Sequence, residues 1–470
     1  MTKALYTILG RITLMILLMN LYLPVQSQDQ PKQFTTDQLR EDLLFIKHKM
    51  ETKNVNLYLY TPKKTMDSVF DALYTGINRP MSATEFYFHI TAMQPYVKDG
   101  HNYLLPAEAL QKEYAAHALY FPLNFIEYGG KIYTTQNFSD NSNLETGDEI
   151  LTINGKKAID VFNQLVAHQV RDGDDLLYPK YISQTYFRSY YGFLYGFPPV
   201  YKLEVIKGGT QKIDVSINAL PLAEIKQRRK SVANPRYDRI NFDKAISWQM
   251  NKEQQYALLQ IRTWSNDILR SDYGERFKSS IDAFVEALKA GNTQNLIIDL
   301  RGNQGGDGGN GIYLLRYLLS MPFKYFYSVK AYNNNMQLRD AAPALTKTNY
   351  PMDYVFKGDV YVLTDGGSFS NSAIFASLIQ FYKRGKIVGG ETGGNGVVLS
   401  GGAGYFEAPN TAVNLLKVTN QMITGNGQVN PEGSVKPDIA LEPGLPEILN
   451  NDDVVLKKLV EIIGRKQPGN

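Results

Sequence analysis

The period of apolar positions changes three times along this chain. Residues 36–98 carry a helical period. In the run Gln38 to Met50, Leu39, Leu43, Phe45, Ile46 and Met50 fall near helical spacing behind a Thr36-Asp37 cap. Ser82-Ala-Thr-Glu85 is a capping-box pattern ahead of a second helix, and Lys98-Asp-Gly-His101 predicts a closing turn. From about 118 the period shortens to that of strands. Tyr120 to Ile126 and Lys131 to Thr135 flank Gly129-Gly130 as a hairpin, and Tyr201 to Ile206 and Lys212 to Ile217 form another across Gly208-Gly209. Between them lie Leu144 to Gly155 and a helix from about Ala158 to Gln169. Residues 220–240, with Lys226, Arg228, Arg229 and Lys230, read as a charged linker.

From 245 onward strands alternate with helices. The strand-like runs are Tyr256 to Ile261, Leu296 to Leu300, Val360 to Leu363 and Lys386 to Val388. The helix-like runs are Glu275 to Leu288, Gly311 to Leu319 and Ser372 to Tyr382. Such alternation implies an α/β sheet with loops at its strand ends.

A chain of 470 residues predicts two or three domains. The formal charge of +4 is close to neutral for this length, and no basic block beyond the one near Arg228 points to nucleic acid. Lys3, Arg11 and the apolar run Ile12 to Leu23, followed by Val25-Gln-Ser27, read as a secretory leader cut after Ser27. The run is shorter than the ~20 residues that span a bilayer, so no stable membrane span is expected once it is removed; a retained anchor is the rival reading. The expected location is periplasmic or extracellular. With no cysteine, disulfides, thiolate metal sites and a cysteine nucleophile are all excluded. The five histidines show no metal spacing, and no cofactor is expected.

Two strand–corner–helix junctions carry the candidate chemistry. Asn295-Leu-Ile-Ile-Asp-Leu-Arg-Gly-Asn-Gln-Gly-Gly306 can present bare backbone N–H groups to an oxyanion. Val360-Tyr-Val-Leu-Thr-Asp-Gly-Gly-Ser-Phe-Ser-Asn371 can raise a serine hydroxyl at a helix start, where a developing anion is favoured. Ser370 is the candidate nucleophile, but Ser368, Ser370 and Ser372 are all also good helix caps. Gly306-Asp-Gly308-Gly-Asn-Gly311 fits a dinucleotide-binding spacing. The following strand, Lys324 to Val329, ends without the acid that would hold a ribose, so that reading is set aside.

Asp299-Leu-Arg301-x-Asn303-x-Gly305-Gly306, Gly367-Ser-Phe-Ser370-Asn-Ser, Ile387-Val-Gly-Gly-Glu-Thr392-x-Gly394 and Val435-Lys-Pro-Asp-Ile439 together resemble the C-terminal-processing (tail-specific) serine peptidases, over roughly residues 36–445. Gly147 to Gly155 resembles a PDZ domain's Gly-Asp-x-Ile-x-x-Ile-Asn-Gly run. The resemblance implies an α/β ClpP/crotonase-like catalytic core at 235–470, behind a leader (1–27), an N-terminal helical region (28–115) and a PDZ-like β-rich insert (116–220). In the Ser/Lys branch a lysine follows the Thr-x-Gly motif; here Asn395 stands there. Lys98-Asp-Gly-His101 and Ser370-Asn371 look like the tricorn-core branch, which implies His101 as general base. That branch has serine before its histidine, where this chain has Gly100, and a glutamate near the Val-x-Pro-Asp run, for which Glu432 is the candidate.

The resemblance further implies an oxyanion hole from the N–H groups of Gly305 and Asn371, with Gly306 contacting substrate. Asp299 and Arg301 read as a scaffold ion pair. The tyrosines of 178–201 line a peptide channel or pack the insert against the core. The implied function is an exported serine peptidase acting on polypeptides through an acyl-enzyme on Ser370. The rival is a catalytically silent peptide- or small-ligand-binding protein on the same scaffold.

Overall fold

The computed structural model describes residues 31–231, 244–291, 293–425, 427 and 433–465. The expected leader and Glu432 lie outside them. The core is a six-stranded sheet in the order 246–251, 256–261, 295–299, 359–364, 386–389 and 439–440. Its first pair is antiparallel and the others are parallel.

Strand alternation explains the two apolar layers around this sheet. Leu296, Ile298, Val360 and Val362 point to one face, with the helices Phe277–Ala290 and Asn371–Phe381. Ile297, Tyr361 and Leu363 point to the other, under the helix Val454–Arg465. A strand covered on both faces has no polar positions to alternate with, hence the unbroken apolar runs.

A second, antiparallel sheet orders 338–340, 326–332, 414–424 and 398–407. The short strand Leu104–Leu105 pairs with 414–424 and so draws the front of the chain onto the core. The N-terminal helices run over 36–53, 63–76, 83–91 and 94–97. The first is capped by Thr35 with Gln38, one residue before the expected Thr36-Asp37, because Thr35 holds the extended backbone that a cap needs. The Ser82–Glu85 capping box is formed.

The β-rich unit is an antiparallel sheet ordered 211–218, 200–207, 149–153, 131–137 and 123–128, backed by the helix Ala158–Ala167. Its Phe125, Ile150, Phe162 and Val205 share one apolar cluster with Leu39, Leu43, Phe86 and Ile90 of the front helices. The expected linker is in part a helix, Leu222–Ser231. Arg228 there bonds Glu224 one turn back and the Phe138 carbonyl, giving its charges partners that composition alone does not reveal.

The Asp299–Arg301 pair gains a third member. Arg301 donates to both oxygens of Asp299 (2.9 and 2.7 Å) and to both of Asp453 (2.8 and 2.9 Å). Asp453 also accepts from the Leu456 N–H in the first turn of the last helix. Arg301→Ala would leave two buried carboxylates unneutralised. It should lower the unfolding free energy by about 3–5 kcal/mol, read as a fall in the denaturant midpoint.

Candidate active site

The strands 295–299 and 359–364 are parallel neighbours with Asp299 opposite Leu363, so their corners leave the same sheet edge side by side. Ser370 begins the helix Asn371–Phe381 in a backbone conformation of φ 53°, ψ −121°, which a residue with a Cβ rarely adopts. Its side chain makes no cap hydrogen bond. The Oγ instead lies 3.0 Å from His101 Nε2. The neighbouring serines serve the scaffold: Ser368 Oγ donates to the Leu300 carbonyl (2.8 Å), and Ser372 Oγ accepts from Trp264 Nε1 (2.9 Å).

The glycine-rich corner closes tightly over the serine. Gly305 and Gly306 have φ of 101° and 137°. A Cβ on Gly305 would lie 2.6 Å from Ser370 Cβ and 3.0 Å from the Asn371 nitrogen, so only a hydrogen fits there. Asn303 locks this corner: its Oδ1 accepts the Gly305 N–H (2.9 Å), its Nδ2 donates to the Ile261 carbonyl (2.8 Å), and its own carbonyl accepts the Phe369 N–H (3.1 Å). The Gly305 N–H expected to hold an oxyanion is therefore already bonded. The Asn371 N–H stands in the first helical turn, where no carbonyl of the helix can reach it. Gly308 and Gly311 belong to the helix Gly308–Leu315; a Cβ on Gly311 would strike the Tyr325 hydroxyl. Close packing accounts for that part of the glycine run.

His101 arrives from the other end of the chain, and a polar chain anchors its turn. Asp99 Oδ1 accepts the His101 N–H (3.0 Å), while Oδ2 accepts from Asn54 (3.0 Å), Asn102 (2.8 Å) and Ser400 (2.6 Å). Ser400 lies on the strand 398–407, so this carboxylate fastens the front helices to the second sheet. Burial pushes the His101 imidazole below its ordinary value, with Asp99 opposing, and so favours the neutral form that can take a proton. Asp99, His101 and Asp172 each offer a donor atom within 4.8 Å of the others. Asp99 already accepts four hydrogen bonds, which leaves it poorly suited to a cation.

Aromatic rings form the wall behind the imidazole. Phe369 stacks on His101 (5.0 Å between centroids) and on Tyr178 (3.9 Å). Tyr178 and Tyr181, from the helix Leu177–Thr185, donate to Gln304 and to the Gly302 carbonyl, and the Tyr186 hydroxyl accepts from Gln304. These tyrosines pack the β-rich unit against the glycine corner. Asn395 is buried; its Oδ1 accepts the Val397 and Val398 N–H groups, so it shapes a turn. The other histidines stand apart from this site: His89 bonds the Leu73 carbonyl, His168 bonds Thr91, His48 lies in the first helix, and His117 ends the helix Glu108–His117. Asp99 and Asn303 stand inside the quoted motifs and Tyr178 inside the tyrosine segment, but the turns and corner that each one locks could not be read from those patterns.

Residues 255–441 match the family model of peptidase family S41. No curated protein matches the chain. Among solved structures it is similar to mature CPAF, at 14% identity and a TM-score of 0.66, over 91% of this chain and 97% of that one. It is likewise similar to mature CPAF complexed with lactacystin, at 15% identity and a TM-score of 0.64, over 92% and 98%. At these identities the likeness is one of fold.

The strained φ of Ser370 generates a test of its own. Ser370→Gly should raise the unfolding free energy above that of Ser370→Ala by about 1 kcal/mol, because only glycine relieves the backbone. Paired denaturant titrations would read the difference.

Proposed function

We propose that this chain, whose residues 255–441 match peptidase family S41, is a C-terminal-processing serine peptidase that hydrolyses peptide bonds through an acyl-enzyme on Ser370 with His101 as general base. The observation that carries this reading is the 3.0 Å approach of His101 Nε2 to Ser370 Oγ. As the hydroxyl attacks a peptide carbonyl, its proton passes to Nε2. The imidazolium then returns that proton to the leaving amine, and water cleaves the ester by the same route.

The oxyanion would accept the Asn371 N–H, which sits at the positive end of a buried helix. A second donor has to come from the Gly305–Gly306 corner, where the Gly305 N–H is shared with Asn303. Asn395 leaves the position of the Ser/Lys-branch base without a group that can take a proton, which favours the histidine. On this reading the core has the ClpP/crotonase-like form, and the β-rich unit is the PDZ-like domain that presents extended polypeptide to it. The leader reading of residues 1–27 adds export.

A fluorophosphonate probe should phosphonylate the protein at Ser370, and the protein should digest unfolded casein. Ser370→Ala should abolish both. His101→Gln should slow labelling by roughly 10²- to 10⁴-fold, the usual contribution of a general base. Labelling that survives in Ser370→Ala would remove the serine from this role.

A further inference from the structure

One polar atom of the site is left over. His101 Nδ1 is buried and has no hydrogen-bond partner among the described residues. With Nε2 facing the serine, the neutral ring that can accept a proton carries its own hydrogen on Nδ1. Once the proton arrives, the ring is a buried cation whose second N–H needs an acceptor, and such a cation is costly to leave alone.

The residue before the histidine shows what stands beside it. A Cβ on Gly100 would lie 2.8 Å from Asp172 Oδ1 and 2.6 Å from Phe369 Cζ. The Asp172 carboxylate therefore fills the place that a serine side chain would take in the tricorn-core branch. It is held at both oxygens: Oδ1 accepts the Gly100 N–H (2.8 Å) and Oδ2 the Asn395 N–H (2.9 Å). One of its oxygens lies within 4.8 Å of a His101 ring nitrogen. Lys98, on the same turn, is taken by Asp174 at 2.6 Å. Asp99, the other nearby carboxylate, takes three donors on Oδ2 and the His101 N–H of its own turn on Oδ1, and its charge also acts on the ring.

We propose that Asp172 is the positioning residue of His101, the carboxylate against which the imidazolium charge develops. This rests on the acyl-transfer reading and goes beyond it, because it assigns the third member of the relay to a loop after the helix Ala158–Ala167 rather than to Glu432. The step itself moves one proton from Ser370 Oγ to His101 Nε2; Asp172 stays ionised throughout.

The groups facing this pair are Asp99, Asp175, Tyr60 and Tyr103. Burial, then Asp99, pushes the Asp172 carboxyl up to about 7 against the N–H groups of Asn395 and Gly100. The imidazole is pushed down from its ordinary ~6.5. Burial thus moves the two groups toward each other, the carboxyl up and the imidazole down. If Asp172 must be charged, the acid limb of reactivity lies at about 7; if only His101 matters, it lies below ~6.5.

The test is the second-order rate of fluorophosphonate labelling against pH in the full chain, with melting curves as a check on folding. Wild type should show the higher limb. Asp172→Asn should lose between roughly 10²- and 10⁴-fold in rate and shift the limb below the imidazole range. Asp172→Ala should lose as much and be partly restored by added formate but not by chloride. The proposal is overturned by a wild-type limb already below the imidazole range. It is also overturned if Asp172→Asn loses rate with an unmoved limb and formate leaves Asp172→Ala unchanged, since the carboxylate would then only clamp backbone. Near-normal Asp172→Asn beside a crippled Glu432→Gln would give the role to the glutamate. Wild-type protein that is never labelled would sink the acyl-transfer reading itself, and this inference with it.

Discussion

A hydrogen bond of 3.0 Å between His101 and Ser370 joins groups 269 residues apart. Bringing such distant groups together costs chain entropy, and a displacement of about 1 Å would break the contact. The fold meets this constraint with several restraints that converge on one turn. Leu104–Leu105 pairs into the second sheet three residues beyond the histidine. Asp99 ties the same turn to Asn54 and Ser400. The rings of Phe369 and Tyr178 support the imidazole from behind. None of these alone would define a ring position; together they leave the imidazole little room to turn.

The same logic explains why the serine tolerates an unfavourable backbone. A residue at φ 53° and ψ −121° persists only where its surroundings over-determine it. Here Gly305 lies so near that a Cβ on it would strike Ser370 Cβ, and Asn303 fastens that corner to the Phe369 N–H and to the Ile261 carbonyl. Behind Asn303, the Arg301 fork joins Asp299 to Asp453 and anchors the loop to the last helix. Strain at the hydroxyl is thus balanced by polar bonds one and two layers away.

Much of this was legible in the sequence, for reasons that can be named. The core strands are apolar on both faces, so their runs stand out against any background. The two corners combine glycine with a strand end and a helix start, a pattern with few alternative uses. That Ser370 and His101 would meet was legible through motif order, not through local chemistry, since three serines in five residues all suit a cap. What escaped has a common physical cause. Asn303 capturing the Gly305 N–H, and the particular bonds by which the expected tyrosine segment meets Gln304 and Gly302, join side chains to loops and leave no period. The helix Leu222–Ser231 was hidden by its dense charge, because the partners of Arg228 include Asp140 and the Phe138 carbonyl, far back in the sequence. Thr35 in place of Thr36 as the cap reflects a choice between adjacent threonines that only backbone angles decide.

Two departures from the related branches, Gly100 for serine and Asn395 for lysine, look unconnected along the chain. In space they meet, because the N–H groups of both residues donate to Asp172. A lysine at 395 would stand close to Asp172, and Asp99 lies close to that carboxylate in turn. Two neighbouring carboxylates favour the charged form of an amine, and a protonated lysine cannot serve as a base. A serine at 100 would collide with the Asp172 carboxylate. Admitting Asp172 to this corner thus disfavours the lysine base and the serine relay alike. The imidazole of His101 is then the ring left beside the Ser370 hydroxyl, and burial favours its neutral form.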